Sequence, residues 1–249
     1  VLLLAGCVQP AMLPNINYAT ARVLDAVGIQ TVVIDQAVCC GAVKFHLNDQ
    51  EGGKDQMRAN IDAWWPAIEA GEIEAIVSNA SGCGVMIKDY GHALRLDSRY
   101  AEKAARVSAL ARDLAQLLPD MLPELVEKLA GKARLPQAPM AYHPPCTLQH
   151  GQKLKGIVEK QLTQLGFTLK TARTESHLCC GSAGTYSILQ AHISKTLRKR
   201  KLDALDAAFA DGTPPAAILS ANIGCITHLQ SGTDIPVRHW VEVLDEALR

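Results

Sequence analysis

The sequence predicts an α/β protein made of two pseudo-repeated α/β units, each a small, mostly parallel sheet flanked by helices. Three observations predict it. Short apolar segments alternate with amphipathic stretches along both halves. The doublet Cys39-Cys40-Gly41 returns as Cys179-Cys180-Gly181, and each doublet is bracketed by single cysteines at matching separations. Cys7 lies 32 positions before Cys39 and Cys83 lies 43 after Cys40, while Cys146 lies 33 before Cys179 and Cys225 lies 45 after Cys180. These two sets use all eight cysteines of the chain.

The elements follow in order. Val1 to Leu4 reads as a short apolar strand with Gly6-Cys7 at its carboxyl end. Ala19, Val23, Leu24 and Val27 recur at helical spacing and Gly28 supplies the stop. Thr31 to Ile34 is a β-branched strand running into Cys39-Cys40-Gly41. Met57, Ile61, Trp64, Trp65 and Ile68 mark one helical face, which Pro66 is expected to kink or end early. Glu74 to Ser78 is the next strand, followed by Ser81-Gly82-Cys83. Ala101 to Leu118 holds strong helix formers. The prolines that follow make 131–139 the expected linker between a first unit, 1–130, and a second, 140–249.

The pattern then restarts. Met140 to His143 leads to Pro144-Pro145-Cys146, and Ile157 to Leu165 forms a helix closed by Gly166. Phe167 to Lys170 is a strand before Cys179-Cys180-Gly181. A helix from Ile193 to Phe209 precedes the strand Ala217 to Ser220 and then Gly224-Cys225. In this overlay Val237 to Leu248 matches Val107 to Leu118.

That order places the cysteines. Parallel strands joined by right-handed crossovers point the same way, so the loops at their carboxyl ends share one edge of the sheet. Cys7, Cys39, Cys40 and Cys83 fall in such loops, as do Cys146, Cys179, Cys180 and Cys225. Open α/β sheets bind ligands at that edge.

Converging thiolates suit a soft metal centre, either an iron-sulfur cluster or zinc. The alternatives are redox disulfides and buried structural thiols. A chain of 249 residues buries a core without disulfide staples. No secretory signal with a basic start and an apolar middle is present. Leu2-Leu3-Leu4-Ala5-Gly6-Cys7 resembles a lipoprotein cleavage box, but no charged segment precedes it and Cys7 has an internal counterpart in Cys146. A reducing, cytoplasmic setting is therefore expected. Lys and Arg balance Asp and Glu at 25 each, so no overall field favours nucleic acid. Gly41 and Gly181 are candidate cofactor-binding positions, because glycine lets backbone turn tightly or approach a bound group.

Other features read more plainly. His143 and His228, each three positions from a cysteine, are candidate ligands or outer donors, with an ordinary loop role as the alternative. Arg198 to Lys201 spreads around a helix and is expected to be a solvated face. Trp64 and Trp65 read as core or interface anchors. No dinucleotide or phosphate-binding glycine motif and no serine-histidine-aspartate set is evident, so no catalytic residue is assigned.

The twice-repeated cysteine pattern resembles the CCG (cysteine-rich) domain found in heterodisulfide reductase and in the iron-sulfur subunits of bacterial 2-hydroxy acid oxidising complexes. More narrowly, Gly6-Cys7-Val8-Gln9-Pro10 with Asn15-Ile16-Asn17, Asn60 to Trp65, and Ser81-Gly82-Cys83-Gly84 with Lys88-Asp89-Tyr90-Gly91 are similar to the glycolate oxidase iron-sulfur subunit family. The resemblance implies a non-catalytic electron relay holding one or two clusters of 4Fe-4S type, with zinc as the alternative at one site. It implies flavin-containing dehydrogenase subunits as partners, and an amino-terminal ferredoxin-like domain that would precede this chain. It also implies peripheral association with the inner membrane through the complex. In the heterodisulfide reductase version each repeat ends in Cys-x-x-Cys, whereas here Ala80 and Asn222 stand at the earlier position. Four cysteines per site leave open a cubane cluster, a partly occupied one, or zinc. A zinc-stabilised assembly module and a thiol redox subunit of the heterodisulfide reductase kind are the alternatives.

Overall fold

The computed structural model describes residues 1–130, 135, 138–209 and 212–249, so the linker expected at 131–139 falls largely outside it. Contacts divide the chain into two units, Val1–Leu114 and Ala115–Arg249.

In the first unit, β1 (Leu2–Leu3), β2 (Ile76–Ser78) and β3 (Ala111–Asp113) form a parallel sheet in the order β1-β2-β3. The strand expected at Thr31 to Ile34 is reduced to one parallel bridge, Leu2 to Val32, on the free side of β1. Leu3 donates its N–H to the Val32 carbonyl at 2.8 Å and Val32 donates to Val1 at 2.9 Å. Val32 and Val33 stay exposed, so the β-branched run has no packing partner that would extend the pairing.

Helix α1 (Asn15–Ala26) buries Ile16, Ala19, Val23 and Leu24. It ends in a Schellman motif. Gly28 has φ +76° and its N–H bonds to Asp25, while Ile29 N–H bonds back to Leu24, both at 2.9 Å. Helix α2 (Gln50–Glu69) starts from Asp49, whose side chain accepts from the Gly52 N–H, and continues past Pro66. The expected early break does not occur. The buried face Met57, Ile61, Trp64 and Ile68 continues past the proline, and that packing outweighs the ~3 kcal/mol a helical proline costs.

Helix α3 (Ser81–Lys88) follows β2, and α4 (Ala101–Leu110) precedes β3. The single helix expected over 101–118 is thus interrupted. Ala111-Arg112-Asp113 pairs with Ile76-Val77-Ser78, with Ala111 and Asp113 buried, and α5 (Leu114–Leu129) begins afterwards. Pairing with a buried neighbouring strand overrides the helical propensity of these residues.

The second unit repeats the plan in full. Strands β4 (Met140–Tyr142), β5 (Leu169–Thr171), β6 (Ile218–Ser220) and β7 (Val237–His239) are all parallel, in the order β5-β4-β6-β7. Around them lie α6 (Ile157–Gln164), α7 (Ala191–Asp206), α8 (Ile223–Gln230) and α9 (Trp240–Leu248). A capping box opens α9: His239 accepts from the Val241 N–H, and Glu242 accepts from the His239 N–H.

The pairings fix the internal equivalence of the repeats. Leu4 N–H bonds to Val77 at 2.9 Å, and His143 N–H bonds to Leu219 at 2.8 Å. Leu4 and His143 therefore occupy the same place, as do β3 and β7. The match of Val237 with Val107 is off by one helical turn, since Val237 corresponds to Ala111. Among the described residues no helix is long and apolar enough to cross a membrane.

Candidate metal centre

In the second unit β4 and β6 lie side by side with β5 beyond β4, and in the first unit β1 and β2 lie side by side with the Val32 bridge beyond β1. The crossovers therefore leave from opposite sides of one gap, and ligands are expected at its carboxyl edge. The cysteines gather there. Cys7 follows β1, Cys39 and Cys40 follow the Val32 bridge, and Cys83 follows β2. Cys146 follows β4, Cys179 and Cys180 follow β5, and Cys225 follows β6. Cys83 and Cys225 do not sit in loops as expected but in the first turns of α3 and α8. The positive end of a helix favours a thiolate, which gives that placement a chemical use.

All eight thiols are free. Cys7 Sγ is 3.4 Å from Cys39 Sγ, and contacts continue from Cys39 to Cys40 and from Cys40 to Cys83. The second quartet has the same chain of contacts, Cys146 to Cys179 to Cys180 to Cys225. Cys40, Cys180 and Cys225 are buried, and Cys7 is exposed.

The doublet loop is built by its glycine. Gly41 and Gly181 have φ of +90° and +93°. A Cβ on Gly41 would stand 2.7 Å from the Gly53 carbonyl of α2, and one on Gly181 would strike the Ser194 carbonyl of α7. Only glycine allows this approach. It also turns the amides toward sulfur: Gly181 N–H donates to Cys179 Sγ at 3.3 Å, and Gly41 N–H does the same for Cys39.

Side chains to which the sequence assigned no role hold these loops. Asn60, fully buried on α2, accepts from the Val38 N–H at 2.7 Å and donates to the Cys39 carbonyl at 3.0 Å. Tyr90 donates to the Cys40 carbonyl at 2.9 Å, accepts from Asn60, and stacks on Trp64. Gln9 donates to Asn17 and Asn79, and Asn17 donates to the Ala5 carbonyl at 2.9 Å, which fastens the Cys7 loop. In the second unit Lys201 is almost fully buried and donates to the Glu175 and Ser176 carbonyls at 2.6 and 3.4 Å. Isolated polar residues in helical patterns carry no sequence signal for such roles; only burial reveals them.

The basic run is thus not one solvated face. Arg198 bonds to Ser231, Lys199 pairs with Asp203, Arg200 pairs with Glu175, and Lys201 is inside. Ser194 donates to the Gly181 carbonyl at 2.7 Å and accepts from His228 Nε2 at 3.1 Å, so His228 braces the doublet loop. His143 behaves differently. It is wholly buried, and its ring meets no nitrogen or oxygen partner, only the sulfur of Cys225. One ring nitrogen and the sulfurs of Cys180 and Cys225 lie within 4.8 Å of one another.

Electrostatics reflect thiols too close to ionise together. The hydrogen bond from Cys40, followed by that from Cys7, holds the Cys39 thiol down at about 2. Cys146 and Cys180 bring Cys179 to about 2. Cys180, with help from His143, brings Cys225 to about 5. Cys7 and Cys40 are pushed well up by donating to Cys39 and by burial, and Cys146 and Cys180 by donating to Cys179 and by burial. Each quartet therefore alternates protonated and ionised sulfur. A bound cation relieves that repulsion, which fits the donor set to a thiolate-held metal centre.

Comparison with known proteins agrees. The chain is 52% identical over 248 residues to the glycolate oxidase iron-sulfur subunit of Escherichia coli, covering 100% of this chain and 58% of that subunit. It is 28% identical over 238 residues to a probable glycolate oxidase iron-sulfur subunit of Bacillus subtilis, covering 92% of this chain and 49% of that one. It is 25% identical over 247 residues to lactate utilization protein A of Bacillus licheniformis, covering 96% of each. The chain thus spans about half the length of the two glycolate oxidase subunits. The CCG cysteine-rich domain model matches residues 1–88 and again 140–230, and the chain belongs to that cysteine-rich domain family.

Proposed function

We propose that this chain holds two iron-sulfur centres of 4Fe-4S type, one in each repeat unit (1–130 and 140–249, joined through 131–139). It would relay electrons from a flavin-containing glycolate dehydrogenase subunit toward the quinone pool. The observation that carries the reading is the convergence of four free thiols at the carboxyl edge of each parallel sheet. Similarity to two glycolate oxidase iron-sulfur subunits supports the substrate class. The lactate utilization relative has a second 2-hydroxy acid in its name.

A bound cluster supplies a one-electron carrier. The protein's part is to hold and tune it. Cys7, Cys39, Cys40 and Cys83 are the ligands in the first unit, and Cys146, Cys179, Cys180 and Cys225 in the second. Gly41 and Gly181 contribute as cofactor-binding positions through amides directed at Cys39 and Cys179, since N–H donors to sulfur favour the more negative state. The buried Lys201 ammonium feels the second quartet and adds positive charge there.

Oxidising a 2-hydroxy acid needs a two-electron acceptor, a base and a cationic anchor for the carboxylate. That chemistry belongs to the flavin partner, and a preceding ferredoxin-like domain would connect the two. The assembled complex would sit in the cytoplasm against the inner membrane. The test is an assay of the purified chain with glycolate and an artificial electron acceptor, alone and then with the flavin subunits. Turnover is expected only with the partners; turnover by the chain alone, without bound flavin, would overturn the relay.

A second reading has one observation in its favour. The close trio His143, Cys180 and Cys225 suits a single tetrahedral ion, as in a structural zinc site of an assembly module. Visible absorption of the anaerobically purified chain separates the two, because iron-sulfide charge transfer is coloured and zinc thiolate is not.

A further inference from the structure

The two centres are not equivalent, and the difference lies in one residue. His143 continues β4 at the carboxyl edge of the second sheet. Its backbone is fixed on the side of β6, donating to the Leu219 carbonyl at 2.8 Å and accepting from Ser220 Oγ at 2.9 Å. The imidazole is therefore held on rigid framework rather than on a mobile loop. Its side chain is fully buried, and no nitrogen or oxygen atom bonds to the ring, whose polar contact is the Cys225 sulfur. A buried ring nitrogen without a nitrogen or oxygen partner forfeits a free-energy gain that buried polar groups otherwise secure. The donors nearest to it are sulfurs: those of Cys180 and Cys225 lie within 4.8 Å of a ring nitrogen and of each other.

The first unit provides the internal control. The same backbone position is Leu4, whose N–H makes the corresponding bond to Val77. Leu4 packs in an apolar cluster together with Cys40. A leucine therefore satisfies this position as far as the fold is concerned. The histidine of the second unit answers a demand that the first unit does not make.

We infer that His143 is a metal ligand of the second centre, making it a mixed thiolate and imidazole site beside an all-thiolate first site. The inference rests on the reading of the cysteine quartets as metal-binding. It gives the second unit five donors, Cys146, Cys179, Cys180, Cys225 and His143, against four in the first. Imidazole is a borderline donor that carries no charge, so it changes the electron count at the metal without adding to thiolate repulsion. A neutral donor added to the four sulfurs tunes the second centre alone, so the two centres differ in potential.

The test begins with iron, sulfide and zinc contents of the anaerobically purified chain carrying ¹⁵N-histidine. Pulsed electron-nuclear double resonance on the reduced protein then reads directly bound imidazole nitrogen if the metal is iron. X-ray absorption reads it if the metal is zinc. One nitrogen ligand per chain is expected, lost in His143→Leu, which installs the first unit's own residue. Redox titration should show two midpoints, with His143→Leu shifting one of them alone. Metal present without a bound nitrogen, or a nitrogen that survives in His143→Leu, overturns the inference and leaves the thiolate reading standing. Absence of iron and zinc overturns both. The wild-type measurement does not depend on how well the variant folds.

Discussion

Lys201 stands in the second unit where Asn60 stands in the first. Gly53 and Ser194 both supply the carbonyl that closes on the doublet glycine, and each clamp lies seven residues further along its helix, two turns on. Both side chains are buried, and both bind the backbone that leads into the paired thiols. Asn60→Leu should cost about 1–3 kcal/mol, because the partly buried Val38 N–H and Cys39 carbonyl lose their partner. Lys201→Met should cost less, about 0.5–2 kcal/mol, since removing a buried charge returns part of the loss. Chemical denaturation of the metal-free chain measures both.

Gly41→Ala and Gly181→Ala should destabilise more than an ordinary left-handed glycine does. Positive φ alone costs about 1–2 kcal/mol for a residue with a Cβ. At these sites the new methyl also meets backbone of α2 or α7, which adds roughly 1–3 kcal/mol. Gly28→Ala is the control, since its φ is +76° but a Cβ there meets open space. It should lose only the conformational part, and thermal melts of the three variants should rank accordingly.

Metal binding should release protons. Cys7 and Cys40 in the first unit, and Cys146 and Cys180 in the second, are pushed up and keep their protons at neutral pH. Ligation as four thiolates expels two protons per unit, so apparent affinity should rise with pH by about 100-fold per unit. Competition with a chelator on the metal-free chain, between about pH 6 and about pH 8, checks the slope. A flat profile would mean that the thiols are already ionised.

Glu159, on α6, is raised by burial, which outweighs a backbone hydrogen bond and the charge of Lys155. Its folded state holds the proton to higher pH than the unfolded chain does. Its contribution to stability is therefore complete below the unfolded carboxyl range and falls as pH rises through the folded value. Glu159→Gln should be more stable than the parent at neutral pH and equal to it in mild acid, as thermal melts at the two pH values would show.

Much of this arrangement is legible in the sequence because it is periodic or covalently distinctive. Eight cysteines in two matched sets and strands that end just before them suffice to place both quartets at sheet edges. What escapes detection depends on tertiary context. Ala111-Arg112-Asp113 has no strand signature and becomes β3 only by pairing with β2. Pro66 looks like a break until the face it would interrupt proves to be buried. Asn60, Tyr90 and Lys201 are single polar residues in helical stretches, and their role appears only when their hydrogen bonds are seen to end on the cysteine loops. The Leu4 and His143 contrast needs the strand register, which the cysteine spacing does not fix.

The central claim is that the two cysteine quartets are metal ligands. Its most direct test is the content of iron, acid-labile sulfide and zinc per chain in anaerobically purified protein, wild type beside Cys39→Ser and Cys180→Ser. Iron and sulfide should be present in comparable amounts in the wild type, with each variant losing the share of its own unit. Iron, sulfide and zinc contents left unchanged by serine at both doublets would contradict it.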